Sequence, residues 1–210
     1  MAGAQCCSNP PTLDPNSGAG SVEQLGGLNT YISGSPNSKF AVLFVSDIFG
    51  YEAPNIRLVA DKVAAAGFYV AVPDFFYSDP FVYDDINRPL QVWIKDHGTE
   101  KGIEDAKSVI EALKSKGFAA LGAAGFCWGE VNVPIEILGA ELDDFTPPAI
   151  VKQFQEILAA RVHEVDSYVE IFPNVAHGWT LRYNVDDEAA ANSASKAHKK
   201  MLEWFSKYLK

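Results

Sequence analysis

The sequence has few cysteines for a chain of its size. Only three occur in 210 residues, at Cys6, Cys7 and Cys127. Two of them are adjacent, so they cannot build a disulfide framework, and a reducing, cytoplasmic location is expected. Cys6 and Cys7 have no histidine or acidic residue near them, which argues against a metal site in this segment.

Long apolar runs and an excess of basic residues are also missing. No apolar run of about 18 residues occurs, and residues 1–7 lack the basic and apolar segments of a signal peptide. We therefore expect no membrane span. With 17 basic against 27 acidic residues, the net charge is −10, which disfavours nucleic acid and anionic membranes as partners. No histidine has metal-ligand spacing with another histidine or an acid, so neither a metal nor another cofactor is expected.

Length and composition predict a single domain with an irregular N-terminal leader. A hydrophobic content of 48% in 210 residues is enough for one globular core. Residues 1–21 are rich in proline, glycine, serine and asparagine, which predicts a leader without regular structure. The domain is therefore placed at residues 22–210, and a monomer is expected.

The hydrophobic pattern alternates between strands and helices. Residues 40–45 form a continuous apolar run, typical of a parallel strand that is buried on both faces. A helix is predicted from Pro54 to about residue 66, and a second strand follows at residues 69–72. This alternation predicts an α/β fold, a mostly parallel sheet with helices on both faces, in which ligands bind beyond the carboxyl ends of the strands. The aromatic, turn-rich residues 75–88 are either core or a loop that lines a pocket.

The apolar residues 118–124 lead into Gly125-Phe-Cys127-Trp-Gly129. This is the pattern of a nucleophile elbow, in which flanking glycines permit a sharp strand-to-helix turn, with a thiol in place of the usual hydroxyl. The alternative is a small cysteine buried at a strand end. The five-residue pattern does not decide between them.

Polar residues follow two later predicted strands. The pair Asp143 and Asp144 follows one strand, and His177 follows the next. The chain order of nucleophile, acid and histidine is that of α/β-hydrolases. A thiol is mostly protonated at pH 7 and needs a base, which His177 would supply while Asp143 orients its ring. A loop histidine without a catalytic role is the alternative, and the aspartate after the preceding strand favours the catalytic interpretation.

The apolar strand predicted at residues 40–45 is also followed by a polar residue, Asp47. Asp47 is either a turn residue or a carboxylate placed over the site. In the second case, the backbone N–H groups of Ile48 and Trp128 would form an oxyanion hole.

These motifs resemble the dienelactone hydrolase (carboxymethylenebutenolidase) family over nearly the whole chain. The match is closest to plant members, some of which carry the name endo-1,3;1,4-β-D-glucanase. The resemblance implies an α/β-hydrolase fold, a catalytic triad of Cys127, Asp143 and His177, and a thiol-partner carboxylate at Asp47. The segments that carry it are Asp47–Gly50, Val72–Phe76, Gly125–Gly129, Leu138–Asp143 with Pro147–Pro148, and Val175–Trp179.

The chain departs from the family in two ways. Bacterial members have glutamate where Asp47 stands, and they bind the substrate carboxylate with an arginine for which Arg88 is the only candidate here; the dienelactone substrate is therefore not supported. Only 16 residues lead from Cys127 to Asp143, whereas the family places a helix, a strand and a loop in this interval. The sequence therefore predicts a fold shortened by about one helix and one strand, through alternative splicing or an error in gene prediction.

Three functions are compatible with these residues. The first is hydrolysis of a small-molecule ester or lactone by the Cys-Asp-His triad. The second is a catalytically impaired form that acts as a binding or regulatory protein, because the helix after the elbow is missing. The third, ranked lowest, is glucan hydrolysis with Asp47 and Asp143 as the two carboxylates that such chemistry needs.

Overall fold

The structure, a computed structural model, describes residues 10–126, 134–160 and 166–209, apart from the side chains of residues 99, 100, 157 and 160. The chain divides into two compact units. The N-terminal unit comprises residues 10–129 with 209–210, and the C-terminal unit comprises residues 130–208 with 1–9. The single domain predicted for residues 22–210 stays a prediction. Among the described residues, no helix has the length and apolar character needed to cross a membrane.

The N-terminal unit is built on a five-stranded sheet in the order β1-β2-β4-β3-β5. Strand β3 pairs in parallel with β4 and β5, whereas β2 pairs antiparallel with β1 and β4. The predicted α/β class is confirmed. The elements are β1 (Ser21–Leu25), β2 (Leu28–Ser33), β3 (Phe40–Val45), α1 (Pro54–Ala65), β4 (Tyr69–Pro73), α2 (Leu90–Asp96), α3 (Thr99–Ser115) and β5 (Ala120–Gly125).

Burial in this sheet follows the apolar pattern. Every residue of β4 is buried, and so are the four central residues of β3, as expected for parallel strands covered on both faces. Helix α1 contributes Val59, Ala60 and Val63, which have helical spacing and are at most 2% exposed. Strand β5, the last in the sheet, is only half-buried to exposed along its length.

Strand β1 was not predicted. Its residues Ser21 to Gln24 are all exposed, so its side chains lack the apolar alternation that marks a half-buried strand. It forms because Gly26 and Gly27 have φ of 60° and 89° and reverse the chain, which pairs β1 with β2. The irregular leader therefore ends at residue 20, where the described part of it, residues 10–20, has no strand or helix.

A buried arginine holds this leader against α1. Arg57 is 1% exposed, and its Nε donates to the Tyr51 carbonyl at 2.8 Å. Its Nη1 donates to the carbonyls of Pro15 at 2.7 Å and Ser17 at 3.2 Å. The guanidinium also lies 4.6 Å from the centre of the Tyr31 ring, a cation–π distance. One charged side chain thus fixes a segment forty residues away in sequence.

Replacing Arg57 by methionine is expected to lower the free energy of unfolding by about 3 kcal/mol, because three carbonyls lose a charged donor and one of them, that of Tyr51, belongs to a buried residue. Urea denaturation measures this change. The matched control is Lys62→Met in the same helix, where the side chain is exposed and the change should stay within about 0.5 kcal/mol. Equal stability of the two variants would show that Arg57 does not hold the leader.

The C-terminal unit contains a two-stranded parallel sheet of β6 and β7, with Ala140 opposite Phe172 at its end. Its elements are β6 (Ile135–Ala140), α4 (Pro148–Ala160), β7 (Ser167–Phe172) and α5 (Glu188–Tyr208). The buried core of this unit is formed by Ala140, Phe172, Val175, Trp179 and Ala197.

Strands in the described residues therefore pair in two sheets, of five and two strands. Strand β5 ends at Gly125 and β6 begins at Ile135. The prediction that no helix follows the elbow falls on residues 127–133, which lie outside the described residues.

Glu136 on β6 is a half-buried carboxyl group with an unusual titration. Its pKa is raised to about 7, chiefly by burial; the nearby Lys200 acts to lower it, and Glu170 and Glu203 act to raise it. The folded state therefore disfavours the ionised form. This destabilisation is absent below the unfolded pKa of about 4.5, grows as the pH rises, and is complete above pH 7.

Glu136→Gln should therefore stabilise the protein by roughly 2 kcal/mol at pH 8 and by nothing measurable at pH 4. Thermal melts across this pH range test the expectation. Glu156→Gln, at an exposed position of α4, removes the same charge and should show no such pH dependence. A gain for Glu136→Gln that is the same at both pH values would contradict the proposed cause.

Candidate active site

The ends of β6 and β7 are held side by side by backbone hydrogen bonds. The Glu141 N–H donates to the Phe172 carbonyl, and the Leu142 N–H donates to the Val175 carbonyl, both at 2.9 Å. The two segments that follow these strands are therefore neighbours. Asp143 lies on the first segment and His177 on the second.

The Asp143 carboxylate is fixed from its own loop. Its Oδ1 accepts the backbone N–H of Phe145 at 2.8 Å and that of Thr146 at 2.9 Å. These bonds set the plane of the carboxylate and leave Oδ2 directed at His177.

His177 Nδ1 lies 2.8 Å from Asp143 Oδ2, and both side chains are 8% exposed. Because an ionised carboxylate only accepts hydrogen bonds, Nδ1 carries the proton in this contact. In the neutral ring, Nε2 then has the lone pair and is the basic nitrogen. Two predicted site residues are thus in direct contact in an orientation suited to a general base, while their catalytic roles stay predictions.

Two further side chains position the histidine. The Phe145 ring is tilted beside the imidazole, with 5.2 Å between ring centres. Arg182 is 8% exposed, and its Nη2 donates to the His177 carbonyl at 3.3 Å. Gly178 has φ of 78°, which favours glycine, and a Cβ there would lie 1.9 Å from Arg182 Nη2, so the guanidinium would have to move.

Sequence reasoning missed Arg182. A signal was present, because an arginine ends the short run Trp179-Thr-Leu181, whose two hydrophobic members are buried. An arginine that follows such buried residues must find hydrogen-bond acceptors, and the His177 carbonyl is one of them.

Asp47 lies at the carboxyl end of β3 in the N-terminal unit and is 4% exposed. Its Oδ1 accepts the Phe49 N–H at 3.1 Å, and its carbonyl accepts the Gly50 N–H at 3.0 Å. Asp47 is therefore a turn residue and a buried carboxylate at once. The Ile48 carbonyl accepts the Phe81 N–H at 2.9 Å, which joins this turn to the aromatic loop after β4. The predicted roles of Asp47 and of the Ile48 N–H stay predictions.

Cys127 and Trp128 lie outside the described residues. The strand that leads to them is described: in the parallel register of β3 and β5, Val45 is opposite Gly125. The Phe126 N–H donates to the Val45 carbonyl at 3.0 Å. In sequence, Cys127 follows Gly125 by two positions, and Asp47 follows Val45 by two positions.

Arg88 is paired within the protein. Its Nη1 lies 2.7 Å from both carboxylate oxygens of Asp79, and its Nη2 lies 3.1 Å from Asp96 Oδ2. The arginine that was the candidate for a substrate carboxylate is therefore already engaged by two acids. Among the residues that the structure describes, no group of three or more metal-ligating side chains occurs.

The mostly parallel sheet with its helices defines the class of protein by its fold, that of the α/β-hydrolases. The model of the dienelactone hydrolase family matches residues 28–131 and 130–209. The chain belongs to the dienelactone hydrolase family.

Similar proteins carry several names. An endo-1,3;1,4-beta-D-glucanase from Zea mays is 38% identical over 200 residues, covering 78% of this chain and 64% of the relative. The chain thus spans less than two-thirds of that relative's length. A carboxymethylenebutenolidase homolog from Xenopus tropicalis is 29% identical, covering 90% of this chain and 91% of the relative. Among solved structures, a protein from Klebsiella pneumoniae assigned to the dienelactone hydrolases has a TM-score of 0.67 at 19% identity, covering 86% of this chain and 93% of that one.

The comparisons also bear on the shortened fold. The alignment with the Xenopus tropicalis relative runs over 227 positions, more than the 210 residues of this chain. That relative therefore has residues with no counterpart here. The two matched parts of the family model meet at residues 130–131, which is where the sequence predicts the missing block.

Proposed function

We propose that the chain hydrolyses small esters or lactones with Cys127 as nucleophile, His177 as general base and Asp143 as the residue that orients the histidine. The observation that carries this proposal is the buried 2.8 Å contact between His177 Nδ1 and Asp143 Oδ2. Membership of the dienelactone hydrolase family supports it.

The chemistry proceeds in two halves. His177 Nε2 takes the Cys127 proton, the thiolate attacks the carbonyl carbon, and the oxyanion is stabilised by the N–H groups of Ile48 and Trp128. The intermediate collapses to a thioester, while His177 gives its proton to the departing alkoxide. Water then attacks the thioester with His177 as base, which releases the carboxylic acid and restores the thiol.

The proposal is tested by the pH dependence of Cys127 alkylation. In a Cys6→Ser/Cys7→Ser background, only Cys127 reacts with iodoacetamide, so the rate reports on one thiol. An activated thiol should react well below the usual thiol pKa of about 8.5. His177→Ala should move the midpoint of the profile up toward that value.

The outcome that contradicts the proposal is a midpoint near the ordinary thiol value that His177→Ala leaves unchanged. That result would favour the second function, an impaired form that acts as a binding or regulatory protein. The interval of only 16 residues from Cys127 to Asp143, where the family has a helix, a strand and a loop, is the observation behind this alternative. A thermal melt of the same sample shows whether the chain is folded when the thiol is unreactive.

Glucan hydrolysis is the remaining alternative, and the name of the Zea mays relative is what favours it. Release of reducing sugar from mixed-linkage glucan, lost on Asp47→Asn and retained on Cys127→Ala, would establish it. Release that depends on Cys127 would exclude the two-carboxylate mechanism, and no release at all would exclude glucan hydrolysis.

A further inference from the structure

The segment that follows β3 forms a tight turn at residues 47–50. The Gly50 N–H donates to the Asp47 carbonyl at 3.0 Å, and the Asp47 carboxylate accepts the Phe49 N–H at 3.1 Å. A trans peptide unit is planar, and its C=O and N–H groups point in opposite directions. Because the Asp47 carbonyl points to Gly50, the Ile48 N–H in the same peptide unit points away from the turn. The hydrogen bond from Gly50 thus sets the direction of the Ile48 N–H.

The residues after this turn are held by Arg57 of α1. Its Nε donates to the Tyr51 carbonyl at 2.8 Å, and its guanidinium lies 5.3 Å from the centre of the Tyr51 ring. The Ala53 N–H donates to the Gly50 carbonyl at 3.4 Å, which closes the segment. Gly50 is therefore bonded on both sides, to Asp47 through its N–H and to the segment held by Arg57 through its carbonyl.

The leader holds the same segment. The Asp14 N–H donates to the Glu52 carbonyl at 3.2 Å, and the Asp14 carbonyl accepts the Ser17 N–H at 3.0 Å in a turn within the leader. This turn contains the carbonyls of Pro15 and Ser17, the two that accept from Arg57 Nη1. One guanidinium therefore joins the leader to the residues that follow the turn at 47–50.

A guanidinium suits this connection because of its shape. It is planar and directs its N–H groups along fixed lines, so the Tyr51 carbonyl and the two leader carbonyls keep a set angle around Arg57. A lysine carries a single ammonium on a flexible chain and cannot reproduce this geometry. Arg57→Lys therefore keeps the charge and loosens the connection.

We propose that Arg57 is a positioning residue for hydrolysis, which connects the leader to the turn at residues 47–50 and thereby keeps the Ile48 N–H directed at the oxyanion. This inference rests on the proposed function, in which the Ile48 N–H is one of the two oxyanion donors. It adds the leader, which precedes the sheet in sequence, to the parts of the chain that support catalysis.

The first measurement is steady-state hydrolysis of 4-nitrophenyl acetate by Arg57→Lys, well below its melting temperature. Its kcat should fall about tenfold or more, because a small displacement of an oxyanion donor has a large effect on rate. KM should stay within about twofold, since this donor acts in the transition state. Val63→Ala in the same helix is the matched control. Val63 is 0% exposed, so this variant is destabilised by a cavity, and its kcat should stay within about twofold.

The second measurement does not require activity. It compares the hydrogen-exchange rate of the Gly50 amide, which is bonded to Asp47, with that of Ala71 in the buried strand β4. Exchange at Ala71 reports the stability of the sheet, whereas exchange at Gly50 also reports local opening of the turn. In Arg57→Lys the ratio of the Gly50 rate to the Ala71 rate should rise about tenfold. In Val63→Ala the two rates should change together, so that their ratio is kept.

A variant in the leader tests the connection from its other end. Asp14 is exposed, and its Oδ1 accepts the Asn16 N–H at 2.9 Å. Asp14→Ala therefore loosens the leader's own turn and leaves the buried guanidinium unchanged. It should lower kcat about threefold and raise the Gly50 ratio, whereas a surface substitution without such a connection has little effect. If Arg57→Lys does not fold, Asp14→Ala decides the outcome by the same two measurements.

The proposal is overturned if Arg57→Lys keeps the parent's ratio of exchange rates. It is also overturned if this variant keeps the parent's kcat in a protein whose hydrolysis requires Cys127. A parent whose hydrolysis does not require Cys127 overturns the proposed function itself, and the positioning role of Arg57 with it.

Discussion

Cys127→Ala is expected to abolish the hydrolysis of a small activated ester such as 4-nitrophenyl acetate. Without a thiol no thioester forms, and the remaining groups give only the slow reaction of bound water. Loss of a nucleophile that acts as one unit with its base costs at least roughly 10⁴-fold in kcat. The measurement is steady-state hydrolysis followed by absorbance.

The matched control is the Cys6→Ser/Cys7→Ser double variant, which loses two of the three thiols and keeps Cys127. It should retain the parent's kcat within about twofold, as expected for positions away from the chemistry. If Cys127→Ala keeps the parent rate, Cys127 is not the nucleophile.

Asp143→Asn is expected to lower kcat by roughly 10⁴-fold while the fold is kept. The two N–H groups of Phe145 and Thr146 require an acceptor, so the amide oxygen of asparagine would occupy the position of Oδ1. Its NH2 group then faces His177 Nδ1, which must accept instead of donate. The proton moves to Nε2, and the base is lost.

Asp144→Asn provides the control for charge, because the neighbouring carboxylate is exposed and outside the pair with His177. It should change kcat by less than about threefold, within the range of a surface substitution. An imidazole NMR spectrum of each variant reports the tautomer. If Asp143→Asn leaves both the tautomer and kcat unchanged, Asp143 does not orient the histidine.

Features governed by local chemistry were predictable from the sequence. The run at residues 40–45 and the helix that begins at Pro54 lie where the apolar period and the proline placed them. The Asp143–His177 pair could also be predicted, because polar residues that follow neighbouring parallel strands meet at one edge of the sheet.

Features that depend on distant partners were not predictable. Strand β1 forms from mostly exposed residues because β2 offers it backbone groups, and the sequence pattern of residues 21–25 does not predict this pairing. Arg57 reads as a helix-surface residue, yet the leader folds over it. For the aromatic residues 75–88, the sequence did not decide between core and a loop that lines a pocket. The structure shows both: Phe81 is buried, and Tyr77 lines a cavity.

The hydrogen bonds from Arg57 to the leader change where this protein is best shortened for recombinant expression. Composition places the start of the domain at residue 22, and a designer would trim the chain there. Such a chain would lack the Pro15 and Ser17 carbonyls that accept from Arg57, and the Ala19 N–H that binds Asp61 at 2.8 Å. A guanidinium and a carboxylate would then lose partners on the same helix face. The sound starting point for expression is residue 10 or earlier.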